Sequence, residues 1–341
     1  MPDGKHLLVI FHDLSSDWNG QVGEIATAAG TLHRITNDLN AYSNSTLGVT
    51  ADGKRLVAIQ ITPEGGVYTL GSEANAMPSL KQIDNHADYG VAWLPDGRLL
   101  SLDYDGHIAV MNGDGSNRSI VYQQHLPMGG LAACSDGQHA LFAMTNQSTK
   151  AFNIWRLDLQ SGSVTTLTQG KFDQSPNCSP DAKNFIYTTV DKGRRVLMQM
   201  PLMGGTAHRV SDRLADFGVY SPDGQQIAAL MPEGTGVNFR AVIGIIPAQG
   251  GLPVKSFPPA RSMSTAFQFS ADGQSLYYGI NERGVSNMVM QRIGEKTAAL
   301  QTTFKDLTIY GYSYDWKNKR LAIARGRNNT DIVLLTQQQT Q

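Results

Sequence analysis

Cysteine is almost missing from this chain, with only Cys134 and Cys178 in 341 residues. Two are too few for a disulfide framework. A disulfide between them would need Cα atoms within about 7 Å. Both precede equivalent turns in adjacent repeats, and inner strands of neighbouring units are not expected to come that close. The reading is therefore two small buried hydrophobes packing between units. Charge is sparse as well, at 17% of residues, with a net charge of −1. A polyanion finds no electrostatic footprint here, so nucleic acid is not an expected partner. No stretch approaches the roughly 18 consecutive apolar residues of a membrane helix, so no membrane insertion is expected. The opening Met1-Pro-Asp-Gly4 carries no basic and apolar leader, which predicts no signal peptide in this chain and leaves its compartment open.

Chemical motifs are absent too. There is no Gly-x-Ser-x-Gly elbow and no kinase signature. There is no His-Glu-x-x-His and no paired Cys-x-x-Cys, so neither a dedicated metal site nor a cofactor is expected. Asn112-Gly-Asp-Gly-Ser-Asn117 looks like a calcium loop, but it lacks spaced carboxylates and a terminal Glu. It falls where the repeat needs a hairpin and reads as a turn. No helical period of useful length occurs.

What is present is glycine, 35 residues of it, and a repeat. A phrase of Ser or Thr, Pro or Ala, Asp and Gly recurs. It stands at Met1-Pro-Asp-Gly4, Thr50-Ala-Asp-Gly53, Leu94-Pro-Asp-Gly97 and Cys134-Ser-Asp-Gly137. It continues at Ser179-Pro-Asp-Ala182, Ser221-Pro-Asp-Gly224 and Ser270-Ala-Asp-Gly273, with an eroded copy at Asp315-Trp-Lys-Asn318. With Lys317 in the last Asp position, successive copies are 49, 44, 40, 45, 42, 49 and 45 residues apart. That is the length of a four-stranded propeller blade. Pro presets a turn, Asp accepts from amides just downstream, and Gly takes the left-handed position, with Asn318 as its substitute in the last copy. Apolar strands follow, such as Leu7-Leu-Val-Ile10, Ile227-Ala-Ala-Leu230 and Leu321-Ala-Ile323.

These observations predict an all-β protein, residues 1–341 forming one β-propeller domain of four-stranded blades. Eight blades are expected, with seven as the alternative and the terminal blades incomplete. The first repeat lacks the innermost strand before its turn. Either the chain is a piece of a longer protein, or a strand exchange closes the ring with both termini.

The turn phrases, with Asn153-Ile-Trp-Arg-Leu-Asp158 and Arg34-Ile-Thr-Asn-Asp-Leu39, resemble the TolB-type propeller with its WD-like PD repeat. They also resemble the C-terminal propellers of bacterial serine/threonine kinases and regulators. The resemblance covers the whole chain. It implies an interaction or sensory module rather than an enzyme, and a periplasmic or other extracytoplasmic setting.

In such a fold the segments leading into each inner strand converge at one mouth of the central channel. Here they supply Asp38, Asn40, Tyr42, His86, Asp88, Tyr89, His125, Asp173, Gln174, Asp216, Phe217, Arg261, Tyr310 and Tyr312. Aromatics beside carboxylates or amides suit a protein or peptide partner bound by a monomer. They also suit a sugar or divalent ion, since ligand sites join apolar linings to a few polar groups. Alternatively, the aromatics pack between blades and each Asp caps the start of a strand. A metal-assisted polysaccharide lyase would need His86 and His125, with Asp88 or Asp173 nearby. Trp18, Phe152 and Phe239, in loops on the same face, are candidate anchors for a protein partner.

Overall fold

The computed structural model describes residues 1–12, 20–37, 40–71, 80–86, 88–234 and 240–336, without the side chains of 44 and 45. Among them there is no helix. Strands β1 (His6–Phe11), β2 (Gln21–Ala26) and β3 (Leu32–Arg34) form a three-stranded sheet. Next come β4 (Ala41–Val49), the long β5 (Arg55–Gly71) and β6 (Leu80–Asp84). Five four-stranded sheets follow. They are β7 (Asp88–Trp93) to β10 (Ser119–Gln123) through β8 (Leu99–Asp103) and β9 (His107–Met111), and β11 (Met128–Ala133) to β14 (Val164–Thr166) through β12 (His139–Thr145) and β13 (Phe152–Asp158). The third is β15 (Gln174–Cys178), β16 (Asn184–Asp191), β17 (Arg194–Pro201) and β18 (His208–Arg209). The fourth is β19 (Asp216–Tyr220), β20 (Gln226–Glu233), β21 (Arg240–Pro247) and β22 (Lys255–Phe257). The fifth is β23 (Gln268–Phe269), β24 (Ser275–Glu282), β25 (Val285–Arg292) and β26 (Ala298–Leu300). Finally β27 (Thr308–Asp315) and the long β28 (Arg320–Thr336) join β5 and β4 in one sheet, with β6 also paired to β5.

Among the described residues, eight turn phrases therefore fall in seven sheets. The phrase at Thr50 opens the β4–β5 hairpin and that at Asp315 opens β27–β28. Both hairpins belong to the same sheet, because β5 and β28 are neighbours in it. Turns and sheets therefore do not correspond one to one among the described residues.

The turns form as their chemistry dictates. Asp223 accepts from the Gln225 amide at 3.0 Å and Asp272 from the Gln274 amide at 3.0 Å. The preceding Ser has its own role: Ser221 Oγ donates to Asp223 at 2.6 Å and accepts from the Gln226 amide at 2.9 Å. Gly224 and Gly273 both have φ +69°, whereas Ala182 takes the same position at φ +54°. The last turn differs from expectation. Asp315 itself does the capping, accepting from the Asn318 amide at 3.0 Å, and Lys319 rather than Asn318 is left-handed, at φ +51°. Asn112–Asn117 is the β9–β10 hairpin turn, with the Gly115 amide donating to the Asn112 carbonyl.

Contacts divide the chain into two compact units. The smaller contains Met1–Glu64, His125–Pro127 and Arg327–Gln341, with a core of Val22, Tyr42, Leu56 and Ala58. The larger contains Gly65–Gln124 and Met128–Gly326. Its core lies between successive sheets; Leu141 and Ile154 of one sheet meet Phe185 and Met200 of the next. Its inner strands β7, β11, β15, β19 and β23 adjoin in sequence, and β27 lies against β7. The Gln268 side chain and the Tyr314 backbone link β23 to β27.

Adjoining inner strands approach closely, and one expectation fails because of it. Cys134 and Cys178 form a disulfide, with Cα atoms 5.3 Å apart. Gly130 in β11 explains the approach. A Cβ there would stand 2.9 Å from Pro176 Cδ and 3.1 Å from the Ser175 nitrogen in β15, so only glycine lets the strands lie this near.

Candidate functional site

Most of the described residues expected at the channel mouth lie at or just before the start of an inner strand, and Arg261 lies seven residues before β23. Asp38 is outside the described residues, as are Trp18 and Phe239. In the larger unit, inner strands β7, β11, β15, β19 and β27 carry a β-bulge just after they begin. Bulges re-aim side chains and collect beside functional sites. Two of these bulges hold non-glycine residues in the left-handed region, Ser175 at φ +54° and Phe217 at φ +53°. For a bulky residue such as Phe217 that conformation is costly.

Several expected site residues make contacts within the fold. Asp173, buried, accepts from the Gly170 amide at 2.9 Å, the Asn153 amide group at 3.3 Å and the Thr189 hydroxyl. Asp216 pairs with Arg195 and caps its own strand by accepting from the Phe217 amide at 2.9 Å. Arg261 pairs with Glu282 on the surface. Tyr312 donates to the carbonyls of Ala266 and Tyr277, which fixes its ring between strands. Gln174 and Phe217 are half-buried. In the smaller unit Tyr42 is core, and Asn40 accepts from the Gln60 amide group at 2.9 Å. His125 lies in the β10–β11 connection.

A smaller group does converge. Tyr89 and Tyr310 come together through Tyr104, whose ring centroid is 4.8 Å from the first and 6.3 Å from the second. Tyr104 is 43% exposed, in the β8–β9 hairpin. Tyr89 donates to the Met128 carbonyl at 2.8 Å. Burial pushes its phenol above the usual tyrosine range, and burial followed by Tyr310 pushes the Tyr104 phenol up to about 12. All three rings are thus neutral and offer apolar faces with polar tips. A second pair, Phe152 and Phe172, stacks at 5.6 Å with Phe172 42% exposed.

Beside the tyrosines lies a knot of charge. His86 Nδ1 is 2.5 Å from Asp84 Oδ1, and Arg118 donates to Asp84 at 2.7 Å and to Asp103 at 3.5 Å. Burial opposes ionisation of Asp84, but His86 and Arg118 outweigh it and hold its carboxyl below the ordinary value. Asp88 is in the opposite condition. Burial, then the neighbouring Asp84 and Asp103 carboxylates, push it up to about 7. Inspection of inner-strand starts alone missed Asp84, Tyr104, Asp103, Asp105, His107 and Arg118. For Asp103, Tyr104, Asp105 and His107 the signal was Asp103-Tyr-Asp-Gly-His107, a hairpin between second and third strands that opens toward the same end of the sheet; Asp84 and Arg118 lie outside it. Among the described residues, the group with metal-ligand spacing is Asp103, Asp105 and His107, not the pair His86 and His125.

No protein-family model matches the chain. Tol-Pal system protein TolB of Francisella tularensis subsp. tularensis is 25% identical over 252 residues, 70% of this chain and 53% of that protein. TolB of Nitrosospira multiformis is 31% identical over 75 residues, 22% of this chain and 17% of its own length. Among solved structures, a TolB-assigned protein from Agrobacterium tumefaciens superposes with a TM-score of 0.63 at 15% identity, covering 78% of this chain and 99% of that one. TolB from Acinetobacter baumannii gives 0.55 at 16%, covering 95% and 80%. This chain has the fold of a TolB-type β-propeller. It spans about half the length of the Francisella relative and less of the Nitrosospira one. Among the described residues no helix is long and apolar enough to cross a membrane.

Proposed function

We propose that residues 1–341 act as one non-catalytic propeller domain that binds a protein or peptide through the channel-mouth face. The observation that carries this is the half-exposed cluster of Tyr89 and Tyr310, near the starts of β7 and β27, with Tyr104 of the β8–β9 hairpin, beside the carboxylates of Asp84, Asp88 and Asp103. Tyrosines anchor partners well because they bury large area at little entropic cost. The curated relatives bear the name of the Tol-Pal system, which supports a protein partner for this chain. A disulfide persists in oxidising compartments, so Cys134–Cys178 supports a periplasmic or other extracytoplasmic setting.

The test is the double variant Tyr104→Ala/Tyr310→Ala. A partner captured by the native chain from a periplasmic extract is identified, purified and titrated against both proteins. Loss of two hot-spot rings is expected to weaken binding about 30-fold or more, with an unchanged melting curve. Equal affinity for native and doubly substituted chains overturns the reading. A second reading, a sensor of a small ligand such as a sugar or divalent ion, draws on one observation: the Asp88 carboxylate is buried without a partner.

A further inference from the structure

The cluster between β6, β7 and the β8–β9 hairpin buries three carboxyl groups, Asp84, Asp88 and Asp103. Asp88 is 0% exposed, and neither of its carboxylate oxygens has a hydrogen-bond partner. Ser101 lies against it, and the buried Ser101 hydroxyl likewise has no hydrogen-bond partner. Native structures rarely leave three such oxygens together unless an ion or water fills the gap.

The surrounding groups favour an ion. Asp88 and Asp103 stand directly opposite each other in the antiparallel β7–β8 pair, so their side chains leave the same face of the sheet. Asp103 joins Asp105 and His107 in a group whose ligand atoms all lie within 4.8 Å of one another. Arg118 engages Asp84 and Asp103, leaving Asp88 without a counterpart. Oxygen donors predominate, which suits a hard cation that takes carboxylate and hydroxyl ligands.

We infer that Asp88, Asp103 and Asp105, with the Ser101 hydroxyl, form a binding site for a hard divalent cation of the Ca2+ class. The ion joins the start of β7 to the β8–β9 hairpin and so holds Tyr89 and Tyr104 in register. The inference stands on Asp88 and its neighbours and does not require the proposed partner surface.

The experiment uses the full chain, stripped with chelator and titrated with Ca2+ by calorimetry and thermal melting, with Mg2+ and Na+ in parallel. One equivalent of Ca2+ is expected to bind and raise the melting midpoint. Asp88→Asn, which keeps the shape and removes the charge, should weaken Ca2+ binding at least tenfold and raise the midpoint of the ion-free protein. Asp105→Asn, at an exposed position, provides the same reading should Asp88→Asn not fold. Asp114→Asn, in the β9–β10 turn, should leave affinity unchanged. Absence of Ca2+ and Mg2+ binding by the native chain overturns the site. So does equal affinity in the folded Asp88 or Asp105 variant, or loss of binding in Asp114→Asn.

Discussion

At the residue scale the fold rests on a few atoms per repeat. Ser221 illustrates this, since one hydroxyl both donates to the Asp223 carboxylate and accepts from the Gln226 amide. Ser221→Ala leaves that amide without its acceptor, and a loss of about 1 kcal/mol is expected in denaturant titration. Ala182 marks the converse case. It holds the left-handed position that glycine fills in the preceding turn at Gly137, φ +67°. Ala182→Gly is expected to stabilise the chain by up to about 1 kcal/mol, because glycine adopts that conformation without a Cβ clash. An unchanged or lowered midpoint in chemical denaturation would contradict it.

At the element scale, close approach of inner strands governs the structure. Gly130 removes the side chain that would separate β11 from β15, and the disulfide of Cys134 with Cys178 closes the span between the same two strands. The bridge encloses 44 residues of chain, for which the loop-entropy account gives about 4 kcal/mol. Replacing both cysteines by alanine should cost about 2–4 kcal/mol in a denaturant titration. Mass spectrometry of the native protein under denaturing alkylation should find both thiols blocked. Inner-strand contact at Gly311 works the same way, since a Cβ there would stand 2.8 Å from the Tyr89 carbonyl.

At the scale of the whole molecule, the turn aspartates act together. Asp3, Asp52, Asp96, Asp136, Asp181, Asp223, Asp272 and Asp315 are all held below the ordinary value of 3.8. At Asp3, Asp52, Asp181, Asp223 and Asp272 the main cause is a side-chain donor: His6, Thr50, Ser179, Ser221 and Ser270 respectively. At Asp96, Asp136 and Asp315 burial works against ionisation, and the hydrogen bonds outweigh it. A carboxyl whose folded value lies below its unfolded value contributes stability above the unfolded value, and that stability is lost as pH falls through the folded one. Asp3 is held at about 2, so the loss should run from about pH 4 down toward 2. Melting temperatures across that range should fall steeply. Asp→Asn at several turns together should flatten the fall; an unaltered slope would place acid sensitivity elsewhere.

The sequence by itself determined the all-β class, the hairpins and their spacing, because each turn is closed by hydrogen bonds within about five residues of its Asp. It also marked where the inner strands begin. Tertiary structure decided what depends on distant segments meeting. β5 and β28 share a sheet although more than 200 residues separate them, so two turn phrases fall in one sheet. Cys134 reaches Cys178 because of a glycine four residues before it. Asp84, Asp88 and Asp103 come from three separate strands or connections, and no local pattern announces that they will share one buried space. Local turn chemistry is written residue by residue, whereas charge burial is a property of the packed neighbourhood and exists only once the strands adjoin.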